Sequence, residues 1–102
     1  MDQDKWVKLG LIQQLANIGS EVHRTAKWQA EGRLDNQRQS AERVLELIDL
    51  TLVDFKKKER LREISRLREI FCDIFLNPRP VYSISAEGID EYLLDFALLV
   101  RR

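Results

Sequence analysis

Residues 7–26 have the sequence VKLGLIQQLANIGSEVHRTA, and their pattern indicates the fold class. The apolar side chains recur every three or four positions, which places them on one side of an α-helix. They are Val7, Leu11, Leu15, Ile18, Val22 and Ala26. The pattern predicts one long helix over residues 4–31, with Asp4 as its N-cap and Gly32 as the left-handed residue that ends it. The apolar phase passes through Gly19 unshifted, so we expect no break there.

Two further stretches repeat this pattern. Residues 35–53 carry one apolar stripe and predict a second helix. Residues 55–76 carry another and predict a third helix, with Asp54 as its N-cap. The stripes consist of Ala41, Leu45, Ile48 and Leu52, and of Leu61, Ile64, Leu67, Phe71 and Ile74. The prolines of residues 77–80 end this helix, because neither can donate a backbone hydrogen bond and each disfavours helix in the preceding residue.

The last predicted helix covers residues 86–100 and is capped by Ser85. It has few polar positions, so we expect it to be buried on most sides. Short connections make consecutive helices antiparallel neighbours. The sequence therefore predicts an all-α fold, an antiparallel four-helix bundle that forms one domain over residues 1–102.

Composition limits the function classes. The chain has 17 basic and 17 acidic residues, whereas a dedicated nucleic-acid binder usually carries a basic surplus. Cys72 is the single cysteine, which excludes an intramolecular disulfide and a thiolate-rich zinc site. The first residues lack the basic region and apolar core of a signal peptide, and no apolar run is long enough to span a membrane. We therefore expect a cytoplasmic protein with no membrane partner.

Catalytic motifs are missing from the sequence. His23 is the only histidine, so a di-iron site with two Glu-x-x-His motifs cannot form. No glycine-rich phosphate loop and no nucleophile elbow are present. We predict that the protein is not an enzyme and uses no metal or other cofactor. One enzyme hypothesis stays open, in which Glu21, Arg24, Asp49 and Arg66 converge inside the bundle.

A polar stripe on the first helix is a candidate interaction site. Asn17, Glu21, Arg24 and Trp28 are spaced four, three and four residues apart, beside the apolar stripe. An aromatic ring next to an arginine and a carboxylate is typical of binding hot spots. The alternative is a boundary stripe, in which a half-buried Trp28 covers the edge of the core and the charges pair with neighbouring helices.

Basic residues are concentrated on the third helix. Lys56, Lys57, Lys58 and Arg62 form a candidate basic patch for nucleic acid, which is the less favoured partner. The alternative is ion pairing across the helical hairpin. In that arrangement Asp49 faces Arg60 and Glu42 comes near Arg66, while Glu59 and Glu63 pair with Arg62 and Arg66.

Apolar residues are more numerous than a small bundle easily covers. Trp6 and its apolar neighbours occupy more than one face of the first helix, and the last helix is almost entirely apolar. Contiguous apolar surface of this kind indicates an interface. We therefore expect a homo-oligomer, a homodimer in the simplest case.

Several segments resemble known families. Trp6-x-x-Leu9-Gly10 resembles the opening of a tetratricopeptide repeat, and residues 41–47 resemble its second helix. However, Ser40 stands where the tryptophan of the next 34-residue repeat belongs. The predicted bundle is similar to HEPN ribonucleases, which cleave RNA with an arginine four to six residues before a histidine. No arginine precedes His23 in this way, which implies an inactive relative at most.

A third resemblance covers most of the chain. Residues 18–22, 47–51 and 66–73 resemble segments of a short bacterial family of uncharacterised helical proteins, which implies a helical-bundle fold and no specific chemistry. The favoured hypothesis is a non-enzymatic protein–protein interaction module that self-associates and binds a protein partner. The alternative is an RNA-associated bundle resembling a degenerate HEPN-type ribonuclease.

Overall fold

The computed structural model describes residues 3–53, 60–76 and 86–101, and within the last range it describes the side chains of residues 88–98. The described residues form five helices. These are α1 (Gln3–Val7), α2 (Leu11–Ala30), α3 (Leu34–Leu52), α4 (Leu61–Phe75) and α5 (Ala86–Arg101). The predicted caps Asp54 and Ser85 and the proline-containing segment 77–80 lie outside the described residues.

The helices α2 to α5 form a four-helix bundle. Helix α2 packs against α3 and α5, α4 packs against the same two helices, and the short α1 packs on α3. Two hydrogen bonds indicate that α3 runs antiparallel to α2 and to α4. Trp6, just before α2, bonds to Thr51 at the end of α3, and Gln37 near the start of α3 bonds to the carbonyl of Phe75 at the end of α4. The predicted all-α fold is confirmed.

The prediction of one long first helix is wrong. Helix α1 ends at Val7 and α2 begins at Leu11, with Gly10 between them in an extended conformation (φ −71°, ψ 160°). The break lets the chain turn so that the ring of Trp6 enters the core, where it is fully buried. Gly32, with φ +70°, ends the turn after α2 in the left-handed conformation that the sequence predicts.

Trp6 is held in the core by polar contacts as well as by packing. Its indole Nε1 donates to Thr51 Oγ1 over 2.8 Å, and Thr51 Oγ1 donates to the carbonyl of Leu47 over 2.9 Å. Gln14 Nε2 donates to the backbone carbonyl of Trp6 over 2.9 Å. These bonds join α1 to α2 and α3, so Trp6 belongs to the interior and not to the excess apolar surface that the sequence suggested.

The apolar stripes form one common core. Its buried members are Trp6, Leu11, Leu15, Ile18, Val22, Ala41, Val44, Leu47, Ile48, Ile64, Leu67, Ile70, Phe71, Phe75, Ile89, Leu93 and Phe96. The prediction that the last helix is buried on most sides is wrong, because Leu94 and Leu98 are 60% and 50% exposed. Helix α5 packs mainly against α2 and α4, and its face with Leu94 and Leu98 is open to solvent.

Candidate functional site

A polar cleft of about 500 Å³ lies between α2 and α3. Seven side chains line it: Glu21, Arg24 and Trp28 from α2, and Asn36, Gln39, Ser40 and Arg43 from α3. The structure thus brings three residues of the predicted interaction stripe together. Asn17, the fourth, is half-buried on α2 and does not line the cleft.

An ion pair fixes the α2 wall of this cleft. Arg24 Nη1 donates to Glu21 Oε1 over 2.9 Å, one helical turn away. The side chain of Glu21 is only 15% exposed, so its carboxylate is largely removed from water. A charge in that position is stabilised by its partner. The pair uses one of the five N–H donors of the guanidinium, which leaves the others for a further acceptor.

Trp28 forms the aromatic part of the cleft. Lys27 Nζ lies 5.5 Å from the centre of its ring and Arg33 Cζ lies 5.3 Å from it. Arg33 reaches the ring because the left-handed turn at Gly32 folds the chain back, so that the amide of Arg33 donates to the carbonyl of Trp28 over 2.9 Å. Each cation contributes about 0.5–1 kcal/mol in such a contact. The half-buried ring is therefore surrounded by positive charge.

The α3 wall adds hydrogen-bond donors that the sequence analysis did not single out. Ser40 is buried and Arg43 is exposed. Arg43 makes no hydrogen bond or ion pair with any described residue. Asn36, Ser40 and Arg43 are spaced four and three residues apart, the same spacing that identified the stripe on α2. Their spacing in the sequence is therefore the signal that identifies them.

The four polar groups of the enzyme hypothesis do not converge. Neither Asp49 nor Arg66 lines the cleft that contains Glu21 and Arg24. Asp49 instead accepts a 2.9 Å hydrogen bond from Arg68 at the surface. This hydrogen bond raises the pKa of Arg68 above its usual value, with a smaller contribution from the charge of Asp49.

The predicted partners of the α3–α4 ion pairs are also wrong in detail. Asp49 pairs with Arg68 and not with Arg60, while Arg60 Nη1 lies 3.9 Å from Glu63 Oε1 on its own helix. Glu42 and Arg66 form no ion pair. The predicted pairs require the chain to turn near residue 54, whereas the described helix α4 begins at Leu61, and the observed pairs correspond to a different register of α3 and α4.

Little of the candidate basic patch falls within the described residues. Lys56, Lys57 and Lys58 lie outside them. Arg62 and Arg66 are exposed on α4 and form no ion pair with another described residue. Arg68 is neutralised by Asp49. The described part of α4 thus offers two unpaired arginines, which is a small number of phosphate contacts for a nucleic-acid surface.

A second concave surface lies between α2 and α5. This α2–α5 groove has a volume of about 540 Å³ and is mainly apolar. Its lining consists of Ile12, Leu15, Ala16, Gly19, Ser20, His23, Asp90, Leu93, Leu94 and Ala97. Ile12 and Leu94 remain 38% and 60% exposed, and Leu98, one turn beyond Leu94, is 50% exposed. Three of the large exposed aliphatic side chains of the described chain therefore lie at one surface.

The described residues bring one histidine and one aspartate together at the groove. His23 Nδ1 lies 3.8 Å from Asp90 Oδ2 at the end of the groove, and both side chains are exposed. Across the described ranges, no three histidine, cysteine, aspartate or glutamate side chains come together to hold a metal ion. Cys72 is a half-buried free cysteine. None of the described helices combines the length and apolar character needed to cross a membrane.

Comparisons with known proteins do not indicate a function for this chain, so any functional assignment rests on the geometry described above. The chain matches no protein-family model, and neither a curated protein nor a solved structure is significantly similar to it.

Proposed function

We propose that this protein is a non-enzymatic interaction module that self-associates through the α2–α5 groove. The observation that carries the proposal is the cluster of exposed aliphatic side chains at the groove: Ile12, Leu94 and Leu98. Single exposed leucines are common on monomers, but contiguous apolar surface beside a groove is typical of a protein interface.

The shapes of the two helices favour a second copy of the chain as the occupant. Helix α5 presents large side chains, Leu94 and Leu98, whereas α2 presents small ones, Ala16 and Ser20, beside the same groove. A two-fold axis parallel to the helices places α5 of each copy on α2 of the other. The leucines of each copy then fill the space above the small residues of its partner, twice per dimer.

The charges of the two helices are complementary in the same way. On the groove side of α2, the exposed basic side chains are His23, which lines the groove, and Lys27 one helical turn beyond it. The exposed charged side chains described on α5 are all acidic: Asp90, Glu91 and Asp95. Packing α5 on α2 of a second copy therefore brings opposite charges together around the apolar contact. Such complementarity selects partners and orientation more than it adds affinity.

The strength of the dimer follows from the area available. A leucine that passes from half exposed to buried contributes about 1 kcal/mol, and Ile12, Leu94 and Leu98 enter the interface from both copies. Association also costs translational and rotational freedom. These few side chains leave little surplus over that cost, and we expect a weak dimer, with a dissociation constant on the order of 1–100 µM or weaker.

Light scattering coupled to size-exclusion chromatography tests this proposal. At roughly 100 µM the protein is expected to move towards twice its chain mass of 12.0 kDa. Substitution of both Leu94→Glu and Leu98→Glu places carboxylates in the apolar contact. This variant is expected to stay at 12.0 kDa with an unchanged helical circular dichroism spectrum.

Leu34→Glu is the matched control for this experiment. Leu34 is at least as exposed as Leu94 but lies at the start of α3, away from the groove. The control variant is expected to dimerise like the wild type. A wild-type protein that remains at 12.0 kDa up to about 100 µM, or a Leu34→Glu variant that loses association equally, rules out the groove as the interface.

Cross-linking tests how the copies are arranged. A Cβ built on Gly19 lies 3.9 Å from Leu93 Cδ1, so Ser20 and Leu94 are at the same level of the bundle. A two-fold axis parallel to the helices preserves this level. In a Cys72→Ser background, a Ser20→Cys chain mixed with a Leu94→Cys chain is expected to form a disulfide-linked heterodimer on oxidation. Cross-linking of Leu94→Cys with itself instead means that α5 packs on α5.

A further inference from the structure

The cleft between α2 and α3 lies on the opposite side of α2 from the α2–α5 groove, and its chemistry is different. Its lining has two guanidinium groups, Arg24 and Arg43, and one carboxylate, Glu21, which is already bonded to Arg24. Asn36, Gln39 and Ser40 add neutral donors. Hydrogen-bond donors therefore outnumber the acceptors that remain free in the cleft.

Three cations at or beside the cleft have no ion-pair partner among the described residues. Arg43 lines it, and Lys27 and Arg33 stand over the ring of Trp28 at its edge. None of these three cations forms an ion pair with a described residue. Of the nearby acidic side chains, neither Glu31 nor Glu42 lines the cleft. A ligand that fits this balance brings its own negative charge.

We propose that this cleft binds the oxyanion, phosphate or carboxylate, of a small ligand whose apolar part lies against Trp28. Arg43 is the principal partner of the oxyanion, because it is free to form the two parallel N–H···O bonds that guanidinium makes with such groups. The bond to Glu21 holds Arg24 at the opposite wall with donors to spare. The buried hydroxyl of Ser40 is a further donor at the floor of the site.

Each wall of the site has a separate role. Glu21 is a positioning residue, since it touches Arg24 and is largely shielded from solvent. Trp28 is half-buried, so its exposed part supplies the apolar surface that distinguishes an organic ligand from a free ion. The volume of about 500 Å³ is in the range of small-molecule sites. The proposal does not depend on self-association, because no residue of this cleft lines the α2–α5 groove.

Nuclear magnetic resonance titration of the full chain tests the proposal. The probes are phenyl phosphate, benzoate, inorganic phosphate and, as an uncharged ring, benzyl alcohol. Phenyl phosphate, benzoate or both are expected to shift the Ser40 amide and the Arg43 Nε–H signals in a saturable way. Inorganic phosphate is expected to bind more weakly than phenyl phosphate, because it lacks a ring to contact Trp28. The responses to phenyl phosphate and benzoate distinguish a phosphate ligand from a carboxylate ligand.

Arg43→Gln is the decisive variant and Arg38→Gln its matched control. Both arginines are exposed on α3 without a described ion pair, but Arg38 does not line the cleft. Arg43→Gln is expected to weaken binding by about tenfold or more, as loss of a charge-assisted hydrogen bond does. Arg38→Gln is expected to leave binding unchanged.

Three results overturn the proposal. The first is the absence of saturable shifts with both organic anions up to tens of millimolar, the weak end of affinities for small ligands. The second is equal binding of benzyl alcohol, which makes the ring and not the oxyanion the recognised group. The third is an equal loss of affinity in the Arg43 and Arg38 variants, which indicates general surface charge. The Leu94→Glu, Leu98→Glu protein should bind the same anions, so this test stands apart from that of the dimer.

Discussion

Replacement of Trp6 by alanine is expected to lower the free energy of unfolding by about 3–5 kcal/mol. Trp6 is among the largest fully buried side chains of the protein, and its indole joins α1 to α3. Alanine leaves a cavity and removes the hydrogen bond that Thr51 Oγ1 accepts from the indole. A small domain has a total stability of about 5–15 kcal/mol, so the loss is a large part of it. Urea denaturation followed by circular dichroism measures the effect.

Two matched variants separate the causes of this loss of stability. Trp6→Phe keeps most of the ring but cannot donate to Thr51, and we expect it to cost about 1–3 kcal/mol, mostly from the lost hydrogen bond and the smaller ring. Trp28→Phe changes the same residue type at the half-exposed cleft and is expected to stay within about 1 kcal/mol of the wild type. If Trp6→Ala is no more destabilising than Trp28→Phe, the core position of Trp6 is wrong.

Trp6 also shows where prediction from the sequence ends. Val7 and Leu11 are four residues apart, so the apolar pattern continues from α1 into α2 without a shift. Nothing in that local pattern indicates a break at Gly10. The break accompanies the burial of Trp6, whose indole bonds to Thr51, 45 residues away in the chain. Helix periodicity describes which face is buried, but not whether the chain turns to bury one side chain more deeply.

The bundle itself was predictable because its evidence is local. Four segments with apolar residues at helical spacing, separated by short polar connections, favour a bundle whatever the details of packing. The left-handed turn after α2 was predictable for the same reason, since Gly32 alone can adopt it without strain. The exposure of Leu94 and Leu98 was not, because it depends on how many helices surround α5.

The candidate cleft was predictable on one wall only. Glu21, Arg24 and Trp28 share a face of one helix, and their spacing in the sequence is enough to group them. Arg43 joins them only because α3 packs beside α2 at a register set by the Gly32 turn. The ion pairs of α4 depend in the same way on where that helix begins. Register between helices is a tertiary property, and the sequence of a single chain indicates it poorly.

Replacement of Phe71 by alanine is expected to have the second large effect, again about 3–5 kcal/mol. Phe71 is fully buried on the inner face of α4, and its ring centre lies 4.9 Å from that of Phe75, at an angle of 41°. The substitution removes both the buried ring and its contact with the neighbouring ring, which itself adds about 0.5–1.5 kcal/mol. The midpoint of urea denaturation is the quantity to measure, with the slope of the transition unchanged.

Phe75→Ala is the control that locates this effect. Phe75 makes the same ring contact but lies at the end of α4 and keeps some exposure, so we expect a smaller loss. Phe71 lines neither the α2–α5 groove nor the cleft between α2 and α3. The Phe71→Ala protein, under conditions where it remains folded, should therefore dimerise and bind organic anions as the wild type does. A loss of either activity without unfolding means that the core of α4 sets the geometry of α2, because that helix is the one element common to both surfaces.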